Sequence, residues 1–172
     1  IGSNFLLLLT DSYVYGYSQN GPKWKERLRG TEGEIRIGDT LGFVVFETAI
    51  CAYSVEGYLW TDVPMLNFEF IDGMAVDKFI IIVTDSHIMA YDYSGWLWTE
   101  EYEYPLEYLL MEPDFGLIIS PGIVWGVDQN GVVYRETFRG DITEVTAEDS
   151  SVFIETDNRL YEFGHNGKQV HD

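Results

Sequence analysis

Carboxylates recur at one place in this sequence. Asp11, Glu47, Asp85 and Asp157 each follow an apolar run and precede a second one, and Pro121 takes the corresponding place in a further segment. Asp62, Glu100, Glu101, Glu103 and Asp141 fall in the stretches that close these segments. Brought to one edge of a fold, such residues make a ring of like charge. A ring of that kind would capture a cation, either a basic protein segment or a divalent ion. It would equally serve solubility, because exposed carboxylates repel one another weakly once water and salt screen them. The strip Thr99–Tyr108, TEEYEYPLEY, mixes carboxylates with Tyr102, Tyr104 and Tyr108. Tyrosine supplies rigid amphipathic contact area, so this strip is the best candidate for a protein-contact element. The expected partner-binding rim is therefore Asp11, Glu47, Asp62, Asp85, Glu100, Glu101, Tyr102, Glu103, Tyr104 and Asp157.

Other chemistry finds less support. Asp92-Tyr93-Ser94-Gly95 and Asp128-Gln129-Asn130-Gly131 place oxygens ahead of a glycine, as calcium loops do. The distal glutamate of such a loop is missing, and sister segments make the same turn without Asp, so hairpin chemistry accounts for both. The three histidines are scattered, and His87 holds a place taken elsewhere by Tyr13, Ala49, Ile123 and Arg159, as a strand-end residue would. A single cysteine, Cys51, excludes an intramolecular disulfide and a cysteine-built metal site. There is no G-x-S-x-G, G-x-G-x-x-G, P-loop or H-E-x-x-H motif. No catalytic residue, metal ligand or cofactor is expected. Trp24, Trp60, Trp98 and Tyr134 would suit sugar stacking, but their recurrence at one column argues for packing. Trp96 lies where the sister segments have Pro22, Tyr58, Val132 and Lys168, and with Tyr58 it forms a candidate lateral contact surface.

The elements that position these residues follow from a repeat. Five segments align on Gly21, Gly57, Gly95, Gly131 and Gly167, spaced 36, 38, 36 and 36 residues apart. Five residues before the glycine stand Gly16, Ala52, Ala90, Gly126 and, as the exception, Glu162. Four before it stand Tyr17, Tyr53, Tyr91, Val127 and Phe163, and three after it Trp24, Trp60, Trp98, Tyr134 and Val170. Runs such as Phe79–Val83 suit strands buried on both faces. Asn20-Gly21, Asn130-Gly131 and Asn166-Gly167 are hairpin turns, because both residues tolerate positive φ. Alternating stretches at Glu34–Ile37, Leu66–Ile71, Leu106–Leu110 and Ile142–Thr146 supply a fourth strand, and no helical periodicity occurs.

Four antiparallel strands per unit describe a β-propeller blade. The expected fold is an all-β propeller of five four-stranded blades, with repeats at about 1–30, 31–64, 65–104, 105–140 and 141–172 in one domain. The first blade lacks its inner strand, so a five-bladed ring is the first expectation and a piece of a larger propeller the second. Blades stack face to face, and each indole is expected to need a shallow site on the next sheet.

The unit resembles the quinoprotein (pyrroloquinoline-quinone) type of propeller repeat, most clearly in HIMAYDYSGWLW and ICAYSVEGYLW. That resemblance implies a fold and not an activity. Such repeats occur in quinone-dependent dehydrogenases and in non-enzymatic scaffolds, outer-membrane assembly factors among them. The enzymes use about eight blades, bound calcium and a funnel of cofactor contacts, so no cofactor residue is carried over.

The 172 residues carry 29 acidic against 10 basic side chains, a net charge of −19. That balance excludes nucleic-acid binding, which needs clustered Lys and Arg. Hydrophobic residues at 46% exclude disorder, and no apolar run approaches a membrane span. A start at Ile1 rather than Met is expected of a processed or partial chain, and removal of a leader would favour an extracytoplasmic location. The leading expectation is a non-enzymatic protein-interaction or scaffold module with a basic protein partner. A carbohydrate- or small-ligand-binding propeller is the second, and a metal-dependent hydrolase or lyase with a channel-mouth site the third.

Overall fold

A computed structural model describes all residues except 1–4, 29–32, 47–48, 63–67, 113, 149–150 and 172. The described residues form antiparallel sheets in two compact units, Ile1–Tyr102 and Glu103–Asp172. In the first unit, β1 (Phe5–Leu9), β2 (Tyr13–Ser18) and β3 (Gly21–Arg27) make a three-stranded sheet. β4 (Gly33–Ile37), β5 (Leu41–Phe46), β6 (Ile50–Ser54) and β7 (Gly57–Asp62) make the second sheet. β8 (Phe70–Ala75), β9 (Phe79–Thr84), β10 (His87–Asp92) and β11 (Gly95–Glu101) make the third. The second unit holds β12 (Tyr108–Glu112), β13 (Phe115–Ser120), β14 (Ile123–Asp128) and β15 (Gly131–Thr137) in one sheet. Its other sheet is β16 (Ile142–Glu148), β17 (Ser151–Thr156), β18 (Leu160–Gly164) and β19 (Gly167–His171). These five sheets are the blades of a β-propeller fold, the first without its inner strand among the described residues.

Two inner strands begin later than their hydrophobic alternation suggests. β8 starts at Phe70, the expected start at Leu66 lying outside the described residues, and β12 starts at Tyr108 rather than Leu106. Asp72 and Gly73 hide the first of these in the sequence. Gly73 is needed there because a Cβ would meet the Phe43 ring at 2.8 Å and the Ile81 carbonyl at 2.9 Å.

Strands β5, β9 and β13 are buried along their whole length, as runs apolar on both faces require. Alternate residues point to opposite faces, so each blade presents one apolar set forward and another backward. In the first unit, Phe5, Leu7 and Val14 pack on Val44, Phe46, Cys51 and Tyr53 of the next blade. Leu41, Phe43, Ile50 and Ala52 then pack on Ile80, Ile82, Met89 and Tyr91. In the second unit Phe115, Leu117, Ile119 and Val124 pack on Val152, Ile154, Tyr161 and Phe163. The backward face of the first blade is different, since Leu6 and Leu8 are 37% and 47% exposed. Tyr13, Tyr15 and Tyr17 share that face as a row, with the Lys25 ammonium 3.6 Å from the Tyr13 ring centre.

The repeated aromatics take a place unlike the expected one. Gly16 and Trp24, Ala52 and Trp60, Ala90 and Trp98, and Gly126 and Tyr134 are cross-strand neighbours within one sheet. The small residue therefore makes room for its own blade's ring, and a Cβ on Gly16 would lie 2.1 Å from the Trp24 indole. The register slips directly after each small residue, which twists the outer strand and tips the ring forward. In the first unit the other side of the ring meets the next blade at Trp24 and Trp60. Trp24 stacks on Tyr53 with centroids 5.3 Å apart, and Trp60 on Tyr91 at 4.9 Å.

Trp24, Trp60 and Tyr134 also donate hydrogen bonds to the blade that follows. Trp24 Nε1–H donates to the Ser54 carbonyl at 3.1 Å and the Val55 carbonyl at 3.2 Å. Trp60 Nε1–H donates to the Asp92 carbonyl at 2.7 Å, and in the second unit the Tyr134 hydroxyl donates to the Gly164 carbonyl at 2.8 Å. Ser54, Asp92 and Gly164 all stand three residues before their hairpin glycine. The last blade drops the whole device together: Glu162 replaces the small residue, Val170 the ring, and the register slip is gone.

Candidate functional site

The carboxylate-bearing turns join β1 to β2, β9 to β10 and β17 to β18 in their respective blades. A threonine at the end of the preceding strand builds each one. Thr84 Oγ1 accepts the His87 and Ser86 N–H groups at 2.8 and 3.3 Å and donates to the His87 carbonyl at 3.0 Å. Thr156 does the same for Asn158 and Arg159, and Thr10 for Tyr13. With the turn backbone so satisfied, the residue at its tip projects outward. Asp11, Asp85 and Asp157 are all exposed. Glu47 lies outside the described residues.

Within a blade, the turn and the end of the outer strand share one edge. The N–H groups of Leu28, Tyr102 and Phe138 donate to the carbonyls of Ser12, Ser86 and Gly122 at 2.9, 2.8 and 3.1 Å. The lead into the inner strand joins them, since Asp85 N–H donates to the Glu69 carbonyl at 3.0 Å and Asp157 N–H to that of Asp141 at 3.2 Å. The Asp85 carboxylate accepts from Glu69 N–H at 3.1 Å and from the Ser86 hydroxyl, so part of its hydrogen-bonding capacity is committed to the fold.

Several expected rim residues sit elsewhere. Tyr102 is 1% exposed, and its side chain is core rather than contact surface. It occupies the same column as Leu28 and the buried Phe138, seven residues after the hairpin glycine, where an apolar group plugs the blade end. Asp62 is half-buried and accepts the Tyr91 hydroxyl of the following blade at 2.9 Å, a bond inside the blade stack. Burial first, then the negative charge of Asp62 and the bond to it, pushes the Tyr91 hydroxyl far above its ordinary range. Glu100 is half-buried and Glu101 exposed, both in the first unit, whereas Glu103, Tyr104 and Tyr108 are exposed in the second. Tyr104 leans edge-on against Trp125 with centroids 6.2 Å apart.

The rim is not uniformly acidic. Asp11 shares a cavity of about 360 Å³ with Arg27, beside Ser12, Tyr13 and Leu28. Of the lateral pair, Trp96 is 60% exposed and donates to the Thr99 hydroxyl, while Tyr58 is half-buried edge-on against Tyr53. The Asp92 and Asp128 side chains accept N–H groups of their own hairpins, as turn residues do. Among the described residues, no group of three or more His, Cys, Asp or Glu side chains is arranged to hold a metal ion. Among them, too, no helix is long and apolar enough to cross a membrane.

Blades joined by aromatic rings, with charge displayed on their turn edges, define a propeller-type repeat protein. Solved structures of this class are similar to the chain. Hsv2p of Kluyveromyces lactis matches 98% of it at 10% identity with a TM-score of 0.62, over 59% of that protein's chain. BBS1N in complex with ARL6DN matches 99% at 10% identity and 0.59, over 61% of that chain. BamB of Moraxella catarrhalis matches 100% at 15% identity and 0.52, again over 61%. This chain thus spans about three fifths of these proteins' lengths, and the likeness is one of fold. The similarity to BamB agrees with the blade architecture that the repeat resemblance implies. No family model and no curated protein sequence matches the chain.

Proposed function

We propose that the chain is a non-enzymatic protein-interaction module whose acidic, tyrosine-bearing turn edges receive a basic segment of a partner. The observation that carries this reading is the exposure of Asp11, Asp85 and Asp157 on turns already completed by threonine hydroxyls. Charge held out on a turn whose backbone is already satisfied needs little reorganisation to meet a partner, and each carboxylate keeps acceptor capacity beyond its bonds within the fold. Exposed Tyr104 and Tyr108 add amphipathic contact area on the second unit. BBS1N, a protein of similar fold, was crystallised in complex with ARL6DN, which is compatible with recognition of a protein partner.

The packing rings favour this reading over sugar binding, because Trp24 and Trp60 are covered on one side by the next blade. The test is binding of a lysine-rich peptide by fluorescence anisotropy at low and physiological salt. Asp11→Lys and Glu101→Lys on the first unit, and Glu103→Lys and Asp157→Lys on the second, are each expected to weaken binding roughly twofold to fivefold per charge. Binding unchanged by all four reversals, or insensitive to salt, would overturn the proposal.

A further inference from the structure

We propose that the second unit contains a binding site for a compact oxyanion of the phosphate-monoester or dicarboxylate class, held by Arg139, Arg159 and Lys168. These residues line a cavity of about 690 Å³ at the junction of the unit's two blades. The convergence is unexpected on composition, since the chain has 10 basic residues against 29 acidic ones. Among the described residues, neither the Arg139 nor the Arg159 guanidinium has an ion-pair partner, despite that surplus of carboxylates.

The blade frame does not ask for these cations. Arg159 stands in the column of Tyr13, Ala49, His87 and Ile123, and Lys168 in that of Pro22, Tyr58, Trp96 and Val132. The main chain of both arginines is anchored beside the cavity, and Lys168 is held through its side chain. The Tyr161 hydroxyl accepts the Arg139 main-chain N–H at 3.2 Å, and Thr156 Oγ1 accepts the Arg159 main-chain N–H at 3.1 Å. Lys168 Nζ donates to the Thr137 carbonyl at 2.7 Å and lies 3.6 Å from Glu136, which leaves it further donor capacity. Beneath them the buried Phe138 and Tyr161 rings, 5.9 Å apart, make an apolar floor. Asn158 adds an amide to the lining.

Guanidinium forks on an apolar floor favour planar or tetrahedral oxyanions, which they bind through paired hydrogen bonds. The volume falls within the range of small-molecule sites, roughly 300–1,000 Å³. A polyanion is disfavoured, because its remaining charges would meet the exposed Asp141 and Asp157 and the field of a chain at −19. The ligand is therefore small.

The test is calorimetric titration and thermal melting with inorganic phosphate and, separately, malonate, at constant ionic strength against chloride. A saturable rise in melting temperature is expected, and the anion saturating at the lower concentration identifies the class. Arg139→Gln with Arg159→Gln is expected to weaken binding at least tenfold, while Lys23→Gln leaves it unchanged. Loss of saturation with both anions, or equal binding by the double variant, would overturn the proposal. If the double variant does not fold, amide shift mapping of the unmodified chain decides the matter. Shifts at residues 137–140 and 158–159 support the site, and shifts confined to other residues overturn it.

Discussion

Trp60 lies on Tyr91 with ring centroids 4.9 Å apart while its indole N–H reaches past that ring to the Asp92 carbonyl at 2.7 Å. One side chain thus joins two blades by stacking and by hydrogen bonding. Trp60→Phe keeps a ring and removes the bond, and is expected to destabilise the protein by about 1 kcal/mol. Trp60→Ala removes both, at about 3 kcal/mol. Urea midpoints measure the difference: an unchanged midpoint for Trp60→Phe would contradict the role of the N–H group, and equal losses for the two variants would contradict that of the stacked ring.

Gly16 tests the space under the same kind of ring. A Cβ there would lie 2.1 Å from the Trp24 indole, yet Ala52 is accommodated beneath Trp60. Gly16→Ala is therefore expected to be mild, because the indole has a neighbouring example of the shift it must make. Gly16→Val is expected to cost about 1–3 kcal/mol through overpacking. The valine penalty should shrink in a Trp24→Ala background, which a double-mutant cycle by urea denaturation would measure.

Thr84 is fully buried, and its hydroxyl completes the turn that displays Asp85. Thr84→Val preserves shape and leaves the His87 and Ser86 N–H groups without their acceptor. A loss of about 1–2 kcal/mol is expected. Asp85→Asn is expected to cost less, since an amide oxygen still accepts from Glu69 N–H. Equal midpoints for Thr84→Val and the unmodified protein would show that water replaces the hydroxyl.

Alkaline pH should act through two tyrosines. Burial, then the charge of Asp62, holds Tyr91 protonated far above the ordinary value of 10.0, and burial, then Glu136, does the same for Tyr134. A hydroxyl with a raised folded-state value stabilises fully below the unfolded value and loses that contribution as pH rises beyond it. Stability should accordingly fall above about pH 10, with two tyrosines ionising only on unfolding. Tyr91→Phe should make the alkaline decline shallower. Urea midpoints from pH 8 to 11, read beside tyrosinate absorbance, check both points.

The blades were legible because their signals are local: apolar runs, Asn-Gly turns and a glycine every 36–38 residues. The Trp column was legible too, but not its acceptor, since a backbone carbonyl leaves no letter in the sequence. Tyr102 reads as surface inside TEEYEYPLEY. Its alignment with Leu28 and Phe138 was the signal that marks it as core. Asp62 reads as one more loop carboxylate until its partner on another blade is known. The cationic cavity was illegible for a related reason: Arg139 and Arg159 come from different blades and different columns, and only the packing of β15 against β19 brings their surroundings together.

The clasp between blades has a direction. Donors stand on the outer strand of the earlier blade, and acceptors are main-chain carbonyls at the hairpin of the later one. Only the donor side constrains residue type, as Trp24, Trp60 and Tyr134 against Ser54, Asp92 and Gly164 illustrate. A duplicated blade would therefore be accepted behind any existing donor whatever its own hairpin sequence, whereas one placed ahead of a neighbour must bring a ring with it. Growth of such an array by copying is asymmetric, and the ringless blade β16–β19, with Glu162 and Val170 at the paired positions, could be copied only to a place that asks for no donor.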